Sequence, residues 1–243
     1  MIVLLDVGNT AVTCGLAEKG RIKAFASASY SDVPKIIKNW AKKGAGSDLN
    51  ILISSVAPKT THFLKKSLKG LGQVWIAGKN LPVPVKHRYK SPKRLGIDRL
   101  VDIYGALKLY KTPLLMIDFG TAITFDYVSK SGVFEGGMIV PGPQLSFQTL
   151  CNRAAQLPKN AHLPQKASGF LGRDTYECLA SGVLEGYGAL ADGLVARFKE
   201  RFGAMQVIAT GGFASTVKRY AKSLKTVDPQ HSVKSLLLLF QDR

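Results

Sequence analysis

The apolar positions change their spacing along the chain, and those changes predict its elements. Three short apolar blocks come first, Ile2 to Leu5, Ala11 to Leu16 and Ile22 to Ala28, separated by Gly8-Asn9 and by Glu18-Lys19-Gly20. Blocks of that length between turn-forming residues predict strands, so the chain is expected to open with a β-meander. Asp32 then stands where it can cap a helix bearing Ile36, Ile37 and Trp40 on one face and ending near Gly44, and Ile51 to Val56 follows as a strand. Pro58 opens a second helix, expected to turn Phe63, Leu64 and Leu68 inward, before a strand at Val74 to Ala77. Residues 80–96 hold Pro82, Pro84 and Pro92 among basic residues with no sustained period, the pattern of a loop. Ile97 to Tyr110 returns to helical spacing through Leu100, Val101, Ile103, Tyr104 and Leu107, and Pro113 follows it.

After Pro113 the pattern restarts. Strands are predicted at Leu114 to Ile117, Ile123 to Val128 and Val133 to Val140, with a turn at Ser131-Gly132. Helices are expected to dominate from Pro143 to Phe202, followed by a strand at Val207 to Ala209 and the Gly211-Gly212 turn. A helix through Val217 and Tyr220 comes next, then a last strand and helix. The echo of the first half in the second predicts an α/β fold of two lobes, residues 1–113 and 114–243. Each is expected to be a mixed sheet flanked by helices, with a cleft between them.

Composition narrows the setting. The chain has 243 residues, 46% of them hydrophobic and 21% charged, which suits packed cores and not a disordered chain. Three widely spaced cysteines, Cys14, Cys151 and Cys178, fit neither a disulfide framework nor a metal cage and point to a reducing, cytoplasmic compartment. The apolar start before Asp6 is too short for an export signal, and Leu236 to Phe240 is too short for a membrane span, so neither export nor a membrane partner is expected. A terminal helix packed on the body accounts for the latter run. The 34 Lys and Arg against 16 Asp and Glu give a formal charge of +18, which favours anionic partners. These basic residues are dispersed through Lys35, Lys42, Lys65, Lys93, Lys108, Lys199 and Lys222, so a solvated basic surface is expected ahead of a nucleic-acid site.

The candidate chemistry lies in two related turns. Asp6-Val7-Gly8-Asn9-Thr10 and Asp118-Phe119-Gly120-Thr121 each follow a strand and carry Asp, then Gly two residues on, then a hydroxyl nearby, almost half the chain apart. Gly lets backbone N–H groups approach phosphate oxygens, Asn and Thr add donors, and Asp orients the hydrated cation that offsets phosphate charge. A single copy would read as a hairpin whose Asp stabilises the turn; two copies in the same meander point to a polyphosphate. His62, His87, His162 and His231 show no metal-ligand spacing and are read as surface or loop residues.

In order, the chain carries Asp6-Val-Gly-Asn-Thr10, Gly96-Ile-Asp-Arg99, Asp118-Phe-Gly-Thr121, Gly136-Gly-Met-Ile-Val-Pro-Gly142, Gly172-Arg-Asp-Thr175 with Ser181-Gly182, and Thr210-Gly-Gly212. That series resembles the acetate and sugar kinase, Hsp70 and actin superfamily, and within it the type III pantothenate kinases, over nearly the whole chain. The resemblance implies two ribonuclease H-like lobes and the ATP-dependent phosphorylation of pantothenate, the first step of coenzyme A biosynthesis; a non-catalytic nucleotide-binding regulatory member of the same fold and a kinase for another small hydroxy acid stand as alternatives, because the loops recognise phosphate better than they define the acceptor. It implies that Asp6, Val7, Gly8, Asn9, Thr10, Ala11, Val12, Thr13 and Thr121 bind ATP, with Asp6 holding Mg2+ through water and Asp118 holding K+ or NH4+. It implies that Tyr89, Gly96, Ile97, Asp98, Arg99 and Thr175 bind pantothenate, with Asp98 as the general base and Thr175 acting across a homodimer interface.

Each residue also has a plainer role. Asp98 could be a helix-start carboxylate paired with Arg99, Tyr89 a half-exposed loop aromatic, and Thr175 an N-cap. One position departs from the family's pattern: a Lys commonly stands three residues after the first turn's Thr, and here that residue is Thr13.

Overall fold

The computed structural model describes residues 1–44, 49–154, 156–159 and 161–243. The end of the predicted helix at Gly44 is reached, while residues 155 and 160 of the expected helical stretch lie outside the described residues. By contacts the chain divides into two units. Met1–Tyr110 and Gln230–Arg243 form the first, and Lys111–Pro229 the second.

In the first unit, β1 (Ile2–Val7), β2 (Val12–Glu18), β3 (Arg21–Ala28), β4 (Leu49–Ser55) and β5 (Gly72–Ile76) form a sheet in the order β3-β2-β1-β4-β5. The opening meander is antiparallel, whereas β4 joins β1 in parallel. That return requires a crossover, which α1 (Val33–Gly44) supplies. Side chains alternate along β1. Val3, Leu5 and Val7 pack with Val33 and Ile37 of α1 and with Leu64 and Leu68 from α2 (Pro58–Ser67) and its end. Leu4 faces the other way, into a core with Val101 and Tyr104 of α3 (Ile97–Leu109) and Leu236 and Phe240 of α7 (His231–Gln241).

The second unit repeats this plan. Strands β6 (Leu114–Phe119), β7 (Ala122–Val128), β8 (Phe134–Pro141), β9 (Gln206–Thr210) and β10 (Thr226–Val227) form a sheet in the order β10-β9-β6-β7-β8, again an antiparallel meander with parallel additions on its far side. Helix α5 (Thr175–Phe202) lays Ala191, Val195 and Phe198 against Phe119 and Phe125, while α4 (Pro143–Arg153) anchors Phe147 and Cys151 in a smaller core.

Several expectations are corrected. The terminal helix does not belong with residues 114–229: α7 packs on α3 and β1, because Gly105 on α3 and Gly15 on β2 leave room for Ser235 and Val233. Phe63 is exposed, since the inward face of α2 is set by Leu64 and Leu68. Residues 154–174 contain no described helix, and α6 (Ala214–Val217) ends before Tyr220. His231 is fully buried, its Nε2 2.8 Å from the carbonyl oxygen of Asp102. Residues 81–90 are extended with a period of two: Leu81, Val83, Val85, His87 and Tyr89 turn inward, and the prolines and basic residues between them are exposed.

Candidate active site

The first-unit site grows from the alternation of β1. Asp6 lies on the same strand face as Leu4, the face covered by α3 and α7, and partly buried there. Its neighbours across the sheet are Thr13 on β2 and Ser54 on β4, so the carboxylate is flanked by a hydroxyl residue on either side. The first turns of α3 and α7 bring Asp98 and Ser232 to the same place. Burial raises the Asp6 carboxyl to about 7; the charge of Asp98 adds to the rise, and the Ser54 and Ser232 hydroxyls oppose it. The turn beyond Asp6 closes where the Gly8 N–H donates to the Ala11 carbonyl at 3.1 Å, and the Tyr30 hydroxyl donates to the Asn9 carbonyl at 3.0 Å. Asn9 and Thr10 stand exposed at its tip.

Asp98 is shaped by its helix start. Gly96 precedes α3, and a Cβ at position 96 would overlap Asp98 Oδ1, which accepts the Arg99 backbone N–H at 2.8 Å. Burial raises the Asp98 pKa, opposed by that N–H and by the Arg99 charge. The carboxylate thus fills the plain helix-start role and also sits in the environment of a base. Arg99 is 8% exposed, with its guanidinium 5.6 Å from the centre of the Tyr89 ring. Tyr89 is therefore a packing partner of Arg99, and its own N–H donates to His87 Nδ1 at 3.2 Å.

The second unit builds the same constellation. Asp118 pairs across the sheet with Thr124 and Thr210, as Asp6 does with Thr13 and Ser54. The Gly120 N–H donates to the Ala122 carbonyl at 3.2 Å, so this turn is one residue tighter than the first. The Thr210-Gly211-Gly212 turn is pressed against it. Gly211 has φ +91°, and a Cβ there would overlap Asp118 Oδ1; the Phe213 N–H donates to the Phe119 carbonyl at 3.1 Å. From the other side Gly142 donates to the Thr121 carbonyl at 2.9 Å, again at a position with no room for a side chain. Thr121 itself is exposed.

Among the predicted residues, Asp6, Thr13, Asp98 and the segment Gly96–Arg99 fall together in the first unit, and Asp118 and Thr121 in the second. Thr175 is not the N-cap of α5. Asp174 is, accepting the Glu177 N–H at 2.8 Å, which leaves Thr175 exposed in the first turn. Sequence reasoning missed Ser54, Ser232 and Tyr30. Ser54 could have been found from its parallel register with Asp6, but Ser232 carries no such mark, since its helix was placed with the other half of the chain.

Two duplicated sheets, each ending an inner strand in an Asp flanked by hydroxyls and followed by a Gly turn, define the fold of the actin and Hsp70-like sugar kinases. A Baf family protein of Campylobacter jejuni described as a transcriptional activator superposes with a TM-score of 0.58 at 16% identity, covering 99% of this chain and 98% of that one. At that identity the likeness shows the fold alone. The family model for type III pantothenate kinase matches residues 2–197. A type III pantothenate kinase of Syntrophus aciditrophicus is 33% identical over 99% of both chains, and one from Caulobacter vibrioides is 40% identical over 79% of this chain and 74% of its own. The chain belongs to the type III pantothenate kinase family.

Proposed function

We propose that this chain transfers the γ-phosphoryl group of ATP to the primary alcohol of pantothenate, forming 4'-phosphopantothenate at the start of coenzyme A biosynthesis. The observation that carries it is the placement of Asp98, a carboxylate whose pKa is raised by burial, beside the Asp6 turn. In this reading the backbone of residues 6–13 and the Thr121 hydroxyl hold the nucleotide, Asp98 takes the proton of the attacking hydroxyl, and Arg99, Tyr89 and the Gly96–Ile97 backbone orient the acceptor. Most of the acceleration comes from positioning and charge neutralisation.

Two neighbouring carboxylates with raised pKa values fit a hydrated Mg2+ ion, whose positive charge would favour their ionised forms and offset phosphate charge. Asp6 would hold it through water. Asp118, with oxygen-rich neighbours Thr124 and Thr210, fits a K+ or NH4+ ion. In the same reading the active form is a homodimer acting in the cytoplasm, in which Thr175 reaches pantothenate bound by the second copy; its exposure, with the cap of α5 taken by Asp174, is compatible with that role. No described helix is long and apolar enough to cross a membrane.

One observation favours a second reading, nucleotide binding without transfer: Thr13 sits directly opposite Asp6, where the family commonly has Lys. Purified protein with ATP, Mg2+ and pantothenate separates the two. Equal amounts of ADP and 4'-phosphopantothenate support the kinase; bound ATP with neither product over hours, with and without K+, supports the alternative.

A further inference from the structure

Tyr187 lies in the middle of α5, far in sequence from the motifs above. Its ring packs against the core built on Phe119 and Phe125. Its hydroxyl donates to the Pro141 carbonyl at 2.7 Å and lies 2.7 Å from Ser146 Oγ. A phenol has one proton, and the Pro141 carbonyl can only accept, so Ser146 is the donor to Tyr187. The hydroxyl therefore grips the β8–α4 turn on both sides of Gly142. That glycine donates to the Thr121 carbonyl at 2.9 Å, and a Cβ on it would overlap the carbonyl oxygens of Gly120 and Thr121. With no slack at Gly142, the position of the turn sets the position of Thr121.

We propose that Tyr187 is a positioning residue for the nucleotide site, holding the Asp118–Thr121 turn in place through Pro141, Gly142 and Ser146. The inference rests on the reading that Thr121 contacts the nucleotide. Tyr187 need not touch ATP. The chain of contacts runs through Tyr187, Ser146, Pro141, Gly142 and Thr121 and ends at the residue assigned to the nucleotide, so the effect should fall on the phosphoryl donor.

The test is steady-state kinetics on Tyr187→Phe, which keeps the ring and removes both hydrogen bonds. The KM for MgATP is expected to rise about tenfold, with the KM for pantothenate within about twofold of the wild type. Ser146→Ala removes one of the two bonds and should raise the MgATP KM by about threefold. An unchanged MgATP KM in Tyr187→Phe, or equal rises in both KM values, overturns the proposal, since a general loosening would move both. If Tyr187→Phe fails to fold, Ser146→Ala decides on the same criteria. The kinase reading fails separately: wild-type protein that makes no phosphopantothenate defeats that reading, and calorimetric binding of MgATP then tests Tyr187 without turnover. A Kd equal in wild type and Tyr187→Phe would overturn the positioning role.

Discussion

Asp98, in the first turn of α3, lies near enough to Asp6, at the end of β1, for its charge to raise the Asp6 pKa. The two residues are far apart in sequence, and each belongs to a different motif. Their proximity brings the turn proposed to hold phosphate and the proposed base together within one unit. Two like charges in a partly dry setting also carry a cost in the absence of a cation.

That cost has a measurable sign. Asp6 titrates near about 3.9 in an unfolded chain and at about 7 in the fold. The folded protein thus holds this proton more tightly, and the stability it contributes is complete below the lower value and lost as pH rises to the upper one. In chelator, the melting temperature of Asp6→Asn should gain on the wild type across that window and hold its lead above it. Parallel melting curves through the window would contradict the shift.

The second turn can be tested through its glycine. Alanine at position 211 must adopt φ +91° and place its methyl group on Asp118 Oδ1. Strain and overlap of that kind cost about 1 to 3 kcal/mol each. Together they amount to about 2 to 6 kcal/mol, so at about 2 to 4 °C per kcal/mol for a chain of this length Gly211→Ala should melt lower by about 4 to 24 °C, and lose affinity for MgATP. A variant with wild-type melting and MgATP KM would mean that the Asp118 turn tolerates displacement.

The terminal helix gives a third test. Val233, Leu236, Leu237, Leu239 and Phe240 of α7 are all buried in the first unit. Burial of each such side chain is worth about 1.5 to 3 kcal/mol, comparable in sum with the whole stability of a domain. A chain ending at Pro229 should leave the first unit unfolded, read as lost protection from hydrogen exchange in β1 and β4. Native protection there would show that α7 is dispensable.

Much of this was legible in the sequence. The strand blocks, the restart after Pro113 and the paired Asp-x-Gly turns all depend on local spacing, which a single chain displays. The allegiance of α7 was hidden because an apolar helical face shows that something covers it, not which sheet does. Its traces were two small residues, Gly15 and Gly105, whose meaning appears only when Val233 and Ser235 lie over them. Residues 81–90 were hidden by their prolines and charges, which occupy the outward half of an alternating segment. Arg99 and Tyr89 were each read as substrate contacts, and nothing in their spacing showed that the Tyr89 ring lies against the Arg99 guanidinium. The cap of α5 went to Asp174 instead of Thr175, a one-residue difference that decides which side chain remains available.

The assignment of Asp98 as the base carries the functional account, and one comparison tests it most directly. Turnover of wild type and Asp98→Asn should be measured with saturating ATP, Mg2+ and pantothenate, alongside the Kd for MgATP of each. Loss of a positioned base lowers kcat by roughly 10² to 10⁴, while the nucleotide Kd should stay within about threefold because the Asn retains the shape of the helix start. Pantothenate-dependent ADP release at a near wild-type rate from Asp98→Asn would contradict the account.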